Sequence, residues 1–262
     1  MFKVKREPVQ SISGRFLKEP AARDFSYSRS VLERWIGIVA VLNLAMIAIL
    51  SGRPSFSNAS RPIRGITNPV LAIEVARNIA EVDAILGDAP SPDREAMRLK
   101  QYADFGFISA YGTLFVLMGL FLMRQGRAIA IAAATMGVAA ALLDVVENIG
   151  TLRLVNTDLA HTTQGMIDAV RYPSLTKWAL AALATGILAI LLFQLNRVGP
   201  RIVSVLNLAA AALVLYGLYD NVFLGWAGAP TLGGFLGLAI LYFRPRRRIH
   251  AIAGPDRQER LG

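Results

Sequence analysis

Cysteine is absent from this chain of 262 residues, and histidine occurs only twice, at His161 and His250. Without cysteine the chain has no disulfide, no thiolate metal site and no cysteine nucleophile. Two histidines are too few for a three-histidine zinc site and argue against haem ligation by a histidine pair. The sequence therefore predicts neither a metal ion nor a cofactor.

Charge is also scarce, since charged residues make up 18% of the chain and apolar residues 54%. A soluble domain usually has about 25% charged and about 45–50% apolar residues. We interpret the apolar excess as surface that faces lipid. The sequence also lacks a phosphate-binding loop, a dinucleotide fingerprint, a nucleophile elbow and an HExxH zinc motif. Composition thus indicates a membrane protein without indicating a reaction.

Long apolar segments also indicate a membrane protein. A helix needs about 20 apolar residues to cross a hydrocarbon core of roughly 30 Å. We place the turn before the last, short segment at 225–230, where glycine and proline cluster, with Asp220–Asn221 as the other option. The sequence predicts an all-α, polytopic bundle of six transmembrane helices, at about 31–50, 103–123, 128–147, 177–195, 202–224 and 229–243.

Lysine and arginine are distributed unevenly around these segments. With a cytoplasmic N-terminus, the cytoplasmic segments hold 18 basic residues and the outer segments hold ten. This bias predicts that both termini are cytoplasmic. The formal net charge of +10 is then an orientation signal, and the basic residues meet anionic lipid headgroups rather than nucleic acid. The expected partner is the lipid bilayer, and the oligomeric state stays open.

Three further segments flank or interrupt the bundle of residues 31–243. Residues 1–30 are predicted to form a loosely ordered cytoplasmic arm, and 244–262 a basic cytoplasmic tail. The outer segment 68–102 is predicted to form an amphipathic cap helix that is too polar to span the membrane. Its apolar face would contain Leu71, Val75, Ile79, Val82 and Leu86, with Glu74 on the opposite, polar face, and a second helix would start at Ser91–Pro92.

Ionisable residues occur at one depth in four of the predicted spans. At about 1.5 Å of rise per residue, Asp104, Glu147 and Asp220 each lie roughly 28 Å from the cytoplasmic end of their helix. Lys177 lies at a similar depth, and Asp144 about one turn deeper. Charged groups inside a membrane are costly and usually pair or serve a function. The sequence therefore predicts a polar pocket that opens to the outside.

Within this pocket, Asp144, Glu147 and Asn148 share one helix face. We assign Asp144 and Glu147 as candidate catalytic residues, for acid–base or cation-binding chemistry, with Lys177 as the compensating cation. The remaining predicted residues are assigned to binding: Asp104, Tyr111, Asn148, Lys177, Tyr216, Asp220 and Asn221. Edge placement in the headgroup zone is an equal alternative for Asp104 and Asp220 taken singly.

Three functions stay open from these residues. The first is binding or processing of a small or lipid-like molecule, which includes an intramembrane hydrolase, isomerase or cyclase. The second is a structural or sensor subunit in which the polar residues only join helices. The third is a transporter component, although no ionisable residue continues the polar line through the inner halves of the spans.

The chain also resembles an uncharacterised family of bacterial polytopic inner-membrane proteins. The resemblance covers roughly residues 70–180 and depends on Asp104-Phe-Gly-Phe107 with Tyr111, on Leu143-Asp-Val-Val-Glu-Asn148, and on the pair Pro173 and Lys177. It implies a multi-pass protein of a bacterial inner (plasma) membrane. It implies no reaction.

Overall fold

The fold is helical throughout the described part of the chain. The computed structural model describes residues 21–57 and 62–243, and within these ranges it contains nine α-helices, one 3-10 turn and no strand. The α-helices are α1 (Ala21–Ser51), α2 (Pro69–Val75), α3 (Ile79–Leu86), α4 (Pro92–Leu122), α5 (Arg127–Val155), α6 (Gln164–Phe193), α7 (Val198–Gly217), α8 (Val222–Trp226) and α9 (Gly228–Tyr242).

Six segments in the described ranges are long and apolar enough to cross a membrane, which confirms the predicted six-span all-α bundle. These segments are Arg29–Ser51, Pro92–Leu122, Arg127–Val155, Gln164–Phe193, Val198–Gly217 and Val222–Tyr242. Three of them extend further than predicted, because α4 begins at Pro92, α5 ends at Val155 and α6 begins at Gln164. The loop expected at 151–176 is therefore mostly helix, and α6 continues through Pro173.

The six spanning helices form a closed ring in chain order. Each helix packs against its sequence neighbour, and α9 closes the ring by packing against both α7 and α1. Small residues allow close approach: the buried face of α5 contains Ala130, Ala133, Gly137 and Ala140. Gly37 of α1 lies directly against the backbone of Phe243, just past α9. Close packing through small residues is typical of membrane helices.

The predicted cap helix is two helices, which corrects the expectation of one continuous apolar face. Helix α2 ends at Val75. Asn78 caps α3, because its side chain accepts a hydrogen bond from the backbone N–H of Glu81 at 2.9 Å. In α2, Glu74 is buried together with the apolar residues around it, whereas Ile79 at the start of α3 is 41% exposed. Both helices contact the ends of the spanning helices, with α2 against α6 and α3 against α4. We call this side of the molecule the α2–α3 end.

Buried polar residues explain why α4 extends beyond its apolar part. Arg94 donates hydrogen bonds to the carbonyl oxygens of Leu154, Val155 and Thr157, where α5 has ended and its last carbonyl groups lack helical partners. Asp93 accepts hydrogen bonds from the backbone N–H and the hydroxyl of Ser57, at 2.6 and 2.7 Å. These contacts hold the charged side chains of Arg94 and Asp93 in buried positions, although charged residues in a sequence usually indicate the end of a span.

The turn between the last two spans is not at 225–230, as preferred from the sequence, but at residues 218–221. Gly225 lies within α8 and Gly228 begins α9. Pro230 is accommodated because it lies in the first turn of α9, where a backbone N–H has no helical partner. The predicted basic tail 244–262 and residues 1–20 of the predicted arm lie outside the described residues. The rest of the predicted arm, residues 21–30, is helical rather than loosely ordered, because α1 begins at Ala21.

Gly37 gives a test of how the ring closes. A Cβ atom on Gly37 would lie 2.5 Å from the backbone nitrogen of Phe243, so we expect Gly37→Ala to lower the free energy of unfolding by about 1–3 kcal/mol. In Gly186→Ala, the new Cβ would lie 3.7 Å from Ala211, an ordinary contact, and we expect no loss. Thermal unfolding in detergent measures both variants. Equal stability of the two variants would contradict this close approach of α1 and α9.

Candidate functional site

A buried lysine organises the polar residues of the spans. The ammonium of Lys177 on α6 contacts Asp144 Oδ1 at 2.5 Å and also Glu147 Oε2. Asp144 and Glu147 are one helical turn apart on α5, so their carboxylates reach the same point. All three side chains are buried, and Glu147 is only 1% exposed. Lys177 is thus the cation that the sequence required for these carboxylates.

Three more predicted residues extend this cluster toward α4. The hydroxyl of Tyr111 donates to Asp144 Oδ2 at 2.8 Å. The amide of Asn148 donates to Asp104 Oδ2 at 2.9 Å. Asp104 and Tyr111 are half-buried, whereas Asn148 is buried. The structure therefore brings six predicted residues from three helices together as two neighbouring sets, one bonded around Lys177 and one formed by Asn148 and Asp104.

Glu74 is a member of this group that sequence reasoning missed. Its Oε1 atom lies 3.4 Å from Lys177 Nζ, and its Oε2 atom accepts the indole N–H of Trp178 at 2.5 Å. The periodicity placed Glu74 on the polar face of a single cap helix, but α2 is buried on both faces from Ala72 to Val75, so Glu74 is buried as well. One signal was available: Glu74 is the only charged residue between Pro69 and Ala76.

Three predicted residues, Tyr216, Asp220 and Asn221, lie outside the cluster, which corrects their assignment to the pocket. Tyr216 is 53% exposed, and Asp220, also exposed, accepts the backbone N–H of Val222 at 3.3 Å. Asn221 is buried but donates to the carbonyl oxygen of Gly217 at 3.0 Å. Their predicted depth assumed that the helix continued to residue 224, whereas α7 ends at Gly217. We call the remaining seven residues the Lys177 cluster: Glu74, Asp104, Tyr111, Asp144, Glu147, Asn148 and Lys177.

Carboxyl groups outnumber the ammonium in the Lys177 cluster by four to one. One oxygen of Glu147 and the amide oxygen of Asn148 are buried without a hydrogen-bond partner among the described residues. Burial raises the pKa of Glu74 to about 7. The ammonium of Lys177 opposes this rise, whereas Asp144 and, more weakly, Asp104 add to it. Glu74 therefore has the capacity to hold and exchange a proton near neutral pH.

A large apolar cavity adjoins the Lys177 cluster. Its volume is about 720 Å³, and it lies among α1, α4, α6, α7, α8 and α9. Asp144, Lys177 and Tyr111 line its polar end, whereas Leu192 and Leu238 line the apolar part. Lys177 and Leu192 are 15 residues apart on α6, so the cavity is roughly 22 Å long. Its shape is that of a deep apolar pocket with charged groups at one end.

The arrangement limits the chemistry of the site. In the described ranges, no three or more acidic or histidine side chains are arranged to hold a metal ion. Asp144 and Lys177 reach the cavity, where a carboxylate, an ammonium and the Tyr111 hydroxyl meet. These groups are suited to hydrogen bonding and to general acid–base chemistry on a ligand in the cavity.

No protein-family model, curated protein or solved structure matches this chain. The function is therefore inferred from the geometry of the site.

Removing the ammonium tests how strongly the cluster depends on Lys177. We expect Lys177→Met to destabilise the protein by about 3–5 kcal/mol, because it leaves buried carboxylates without their cation. Thermal or denaturant unfolding in detergent measures the loss. As a control, the triple variant Lys177→Met, Asp144→Asn, Glu147→Gln removes both nearest charges and should recover a substantial part of it. A neutral effect of Lys177→Met alone would refute the central role of this ammonium.

The raised pKa of Glu74 predicts that the stability of the protein depends on pH. Because its folded pKa of about 7 lies above its ordinary value of 4.5, the folded state holds the proton more tightly than the unfolded chain. Its contribution is complete below pH 4.5 and is lost as the pH rises toward 7 and above, by about 3 kcal/mol in total.

The unfolding temperature at pH 5 and pH 8 checks this expectation. Lys177, Asp144, Asp104 and Glu147 face Glu74, so the contribution of Glu74 is obtained by comparing the parent with Glu74→Gln. Glu74→Gln should flatten the pH dependence. Glu95→Gln, at an exposed position of α4, should leave it unchanged. Parallel curves for the parent and Glu74→Gln would rule out the raised pKa.

Proposed function

We propose that this integral membrane protein binds a lipid-like molecule, with its hydrocarbon chain in the central cavity and its polar group against Asp144 and Lys177. The observation that carries the proposal is the long apolar cavity with ionisable groups at one end only. Ligand sites are typically concave, mostly apolar and equipped with a few polar groups that orient the ligand. A small polar solute would leave most of this apolar wall without a partner.

The dimensions of the cavity support a chain-bearing ligand. A hydrocarbon core of about 30 Å gives each leaflet a depth of about 15 Å. The cavity length of roughly 22 Å therefore accommodates a chain of ordinary lipid length. Its volume of about 720 Å³ is within the usual range for an organic ligand, about 300–1,000 Å³.

The charge of the Lys177 cluster favours an uncharged or cationic polar group. Asp144 and Glu147 both contact Lys177, and Glu74 lies 3.4 Å from the same ammonium. A phosphate or carboxylate on the ligand would compete for an ammonium that already has three acidic neighbours. A hydroxyl, a sugar or an amine would instead accept or donate hydrogen bonds without adding negative charge.

We place the cluster on the outer side of a bacterial inner membrane, with both termini cytoplasmic. The distribution of lysine and arginine supports this orientation, and the resemblance stated above supports this membrane. In that orientation the α2–α3 end faces outward, and the ligand's polar group lies near the outer boundary of the membrane. Within the same proposal, Asp144 and Glu147 are the acid–base residues if the ligand is processed.

One alternative is a non-enzymatic structural or sensor subunit whose polar residues only join helices. The complete pairing of Lys177 with three carboxylates favours it. Exchanging the charges of Glu147 and Lys177 distinguishes the two functions, because a purely structural pair would keep full cellular function when reversed. A transporter would additionally need a polar route through the apolar part of the cavity, which reconstituted flux measurements would detect.

Tryptophan fluorescence tests whether a lipid chain occupies the cavity. Trp178 lines the cavity, and Trp35→Phe with Trp226→Phe leaves it as the only tryptophan of three. In vesicles of phospholipid brominated along the acyl chain, we expect strong quenching of Trp178. Ala181→Phe places a ring into the cavity one turn from Trp178 and should reduce the quenching at least threefold.

The matched control is Leu183→Phe, because Leu183 is 45% exposed and does not line the cavity. It should leave the quenching unchanged. Adding a long-chain amine or alcohol without bromine should relieve quenching more than an alkyl phosphate of equal length. If Ala181→Phe and Leu183→Phe quench equally, the cavity does not hold the chain.

A further inference from the structure

The wall of the cavity is thin where α8 meets α9. Gly225, Trp226 and Gly228 all line the cavity, and all three are exposed, Trp226 by 65%. A Cβ atom added to Gly225 or to Gly228 would meet no atom within 4 Å. At this place the cavity is separated from the surroundings by little more than the backbone and one indole ring.

Exposed aromatic rings mark the surface around this thin wall. The ring of Tyr216 lies 4.6 Å from that of Phe223, which lies 5.6 Å from that of Trp226. Tyr219 continues the strip and is 86% exposed. Exposed tyrosine and tryptophan are enriched where a membrane meets water, because their rings have an apolar body and a polar tip. The strip therefore places α8 at the lipid–water boundary of one leaflet.

The start of α8 packs against the segment that precedes α2. Gly65, in the segment between α1 and α2, lies against the side chain of Val222 so closely that a Cβ at position 65 would overlap it. Gly65 has φ of +78°, a conformation that glycine adopts readily. Gly65, Ile66, Thr67 and Asn68 also line the cavity beside α8. This segment borders the cavity at the α2–α3 end, where Gly65, Thr67 and Asn68 are exposed, and α8 borders it from the side that carries the aromatic strip.

We propose that the α8–α9 junction is a lateral doorway through which an uncharged or cationic single-chain amphiphile enters the cavity from the membrane leaflet at the α2–α3 end. This inference rests on the proposed function and adds the source of the ligand, which is the bilayer rather than water. The chain stays in an apolar environment during entry, since it passes from lipid along the aromatic strip into an apolar cavity. The polar group remains at boundary level and reaches Asp144 and Lys177 without crossing the hydrocarbon.

Plugging the doorway tests the proposal. In the single-tryptophan background, where Phe at 226 keeps an aromatic ring, Gly225→Leu or Gly228→Leu fills open space without a clash. After rapid mixing with micelles of brominated dodecyl maltoside, an uncharged single-chain amphiphile, we expect the quenching of Trp178 to be at least tenfold slower in either variant. Ala229→Leu is the matched control, because Ala229 is exposed next to the doorway but does not line the cavity. Its rate should stay within twofold of the parent.

A second measurement distinguishes the two sources of ligand. Acrylamide, a water-soluble quencher, should reach Trp178 poorly, and the leucine variants should not change this. Ready quenching by acrylamide, or unchanged bromine quenching rates in both leucine variants, would overturn the doorway. If Ala181→Phe still reduces quenching in that case, the cavity site stands without the doorway. If the brominated amphiphile fails to quench Trp178 in the parent, the proposed function itself is wrong.

Discussion

The ammonium of Lys177, held in the bundle by Asp144, Glu147 and Glu74, is the interaction on which the rest of the structure depends. A charge removed from water is costly unless an opposite charge and hydrogen bonds compensate it. That requirement positions α2, α5 and α6 relative to one another. Because the cluster has more carboxyl groups than ammonium groups, some of its polar atoms are available for hydrogen bonds at the end of the cavity. A structural necessity and a candidate binding site are therefore the same group of atoms.

The ring of spans has a tightly packed half and an open half. On one side, small residues of α5 allow close contact with α4 and α6, and this contact holds the Lys177 cluster together. On the other side, α1, α7, α8 and α9 surround the cavity and contribute mostly apolar side chains. Rigid packing on one side positions the polar groups. The looser packing on the other side provides the volume for a ligand and, at α8, a thin wall.

The sequence predicted six members of the cluster because helical geometry converts residue number into depth and face. Asp144, Glu147 and Asn148 lie on continuous helix, so the spacing rule held for them. The same rule failed for Asp220, because α7 ends before it. It also failed for Glu74, because Ala72, Ile73, Glu74 and Val75 of α2 are all buried and α2 has no exposed polar face there. Depth and face can be read from sequence only as far as a helix is unbroken.

Apolar segment length, by itself, determined that this chain is a six-span helical bundle, because a backbone in lipid must satisfy its hydrogen bonds internally and helices do so locally. The spacing of its charged residues also determined which side chains on one helix share a face. Only the tertiary structure decided that Lys177 serves three carboxylates, that Glu74 joins them, and that a cavity with a thin wall lies beside them. Those features depend on how different helices meet, and contacts between distant segments are not encoded in any local pattern.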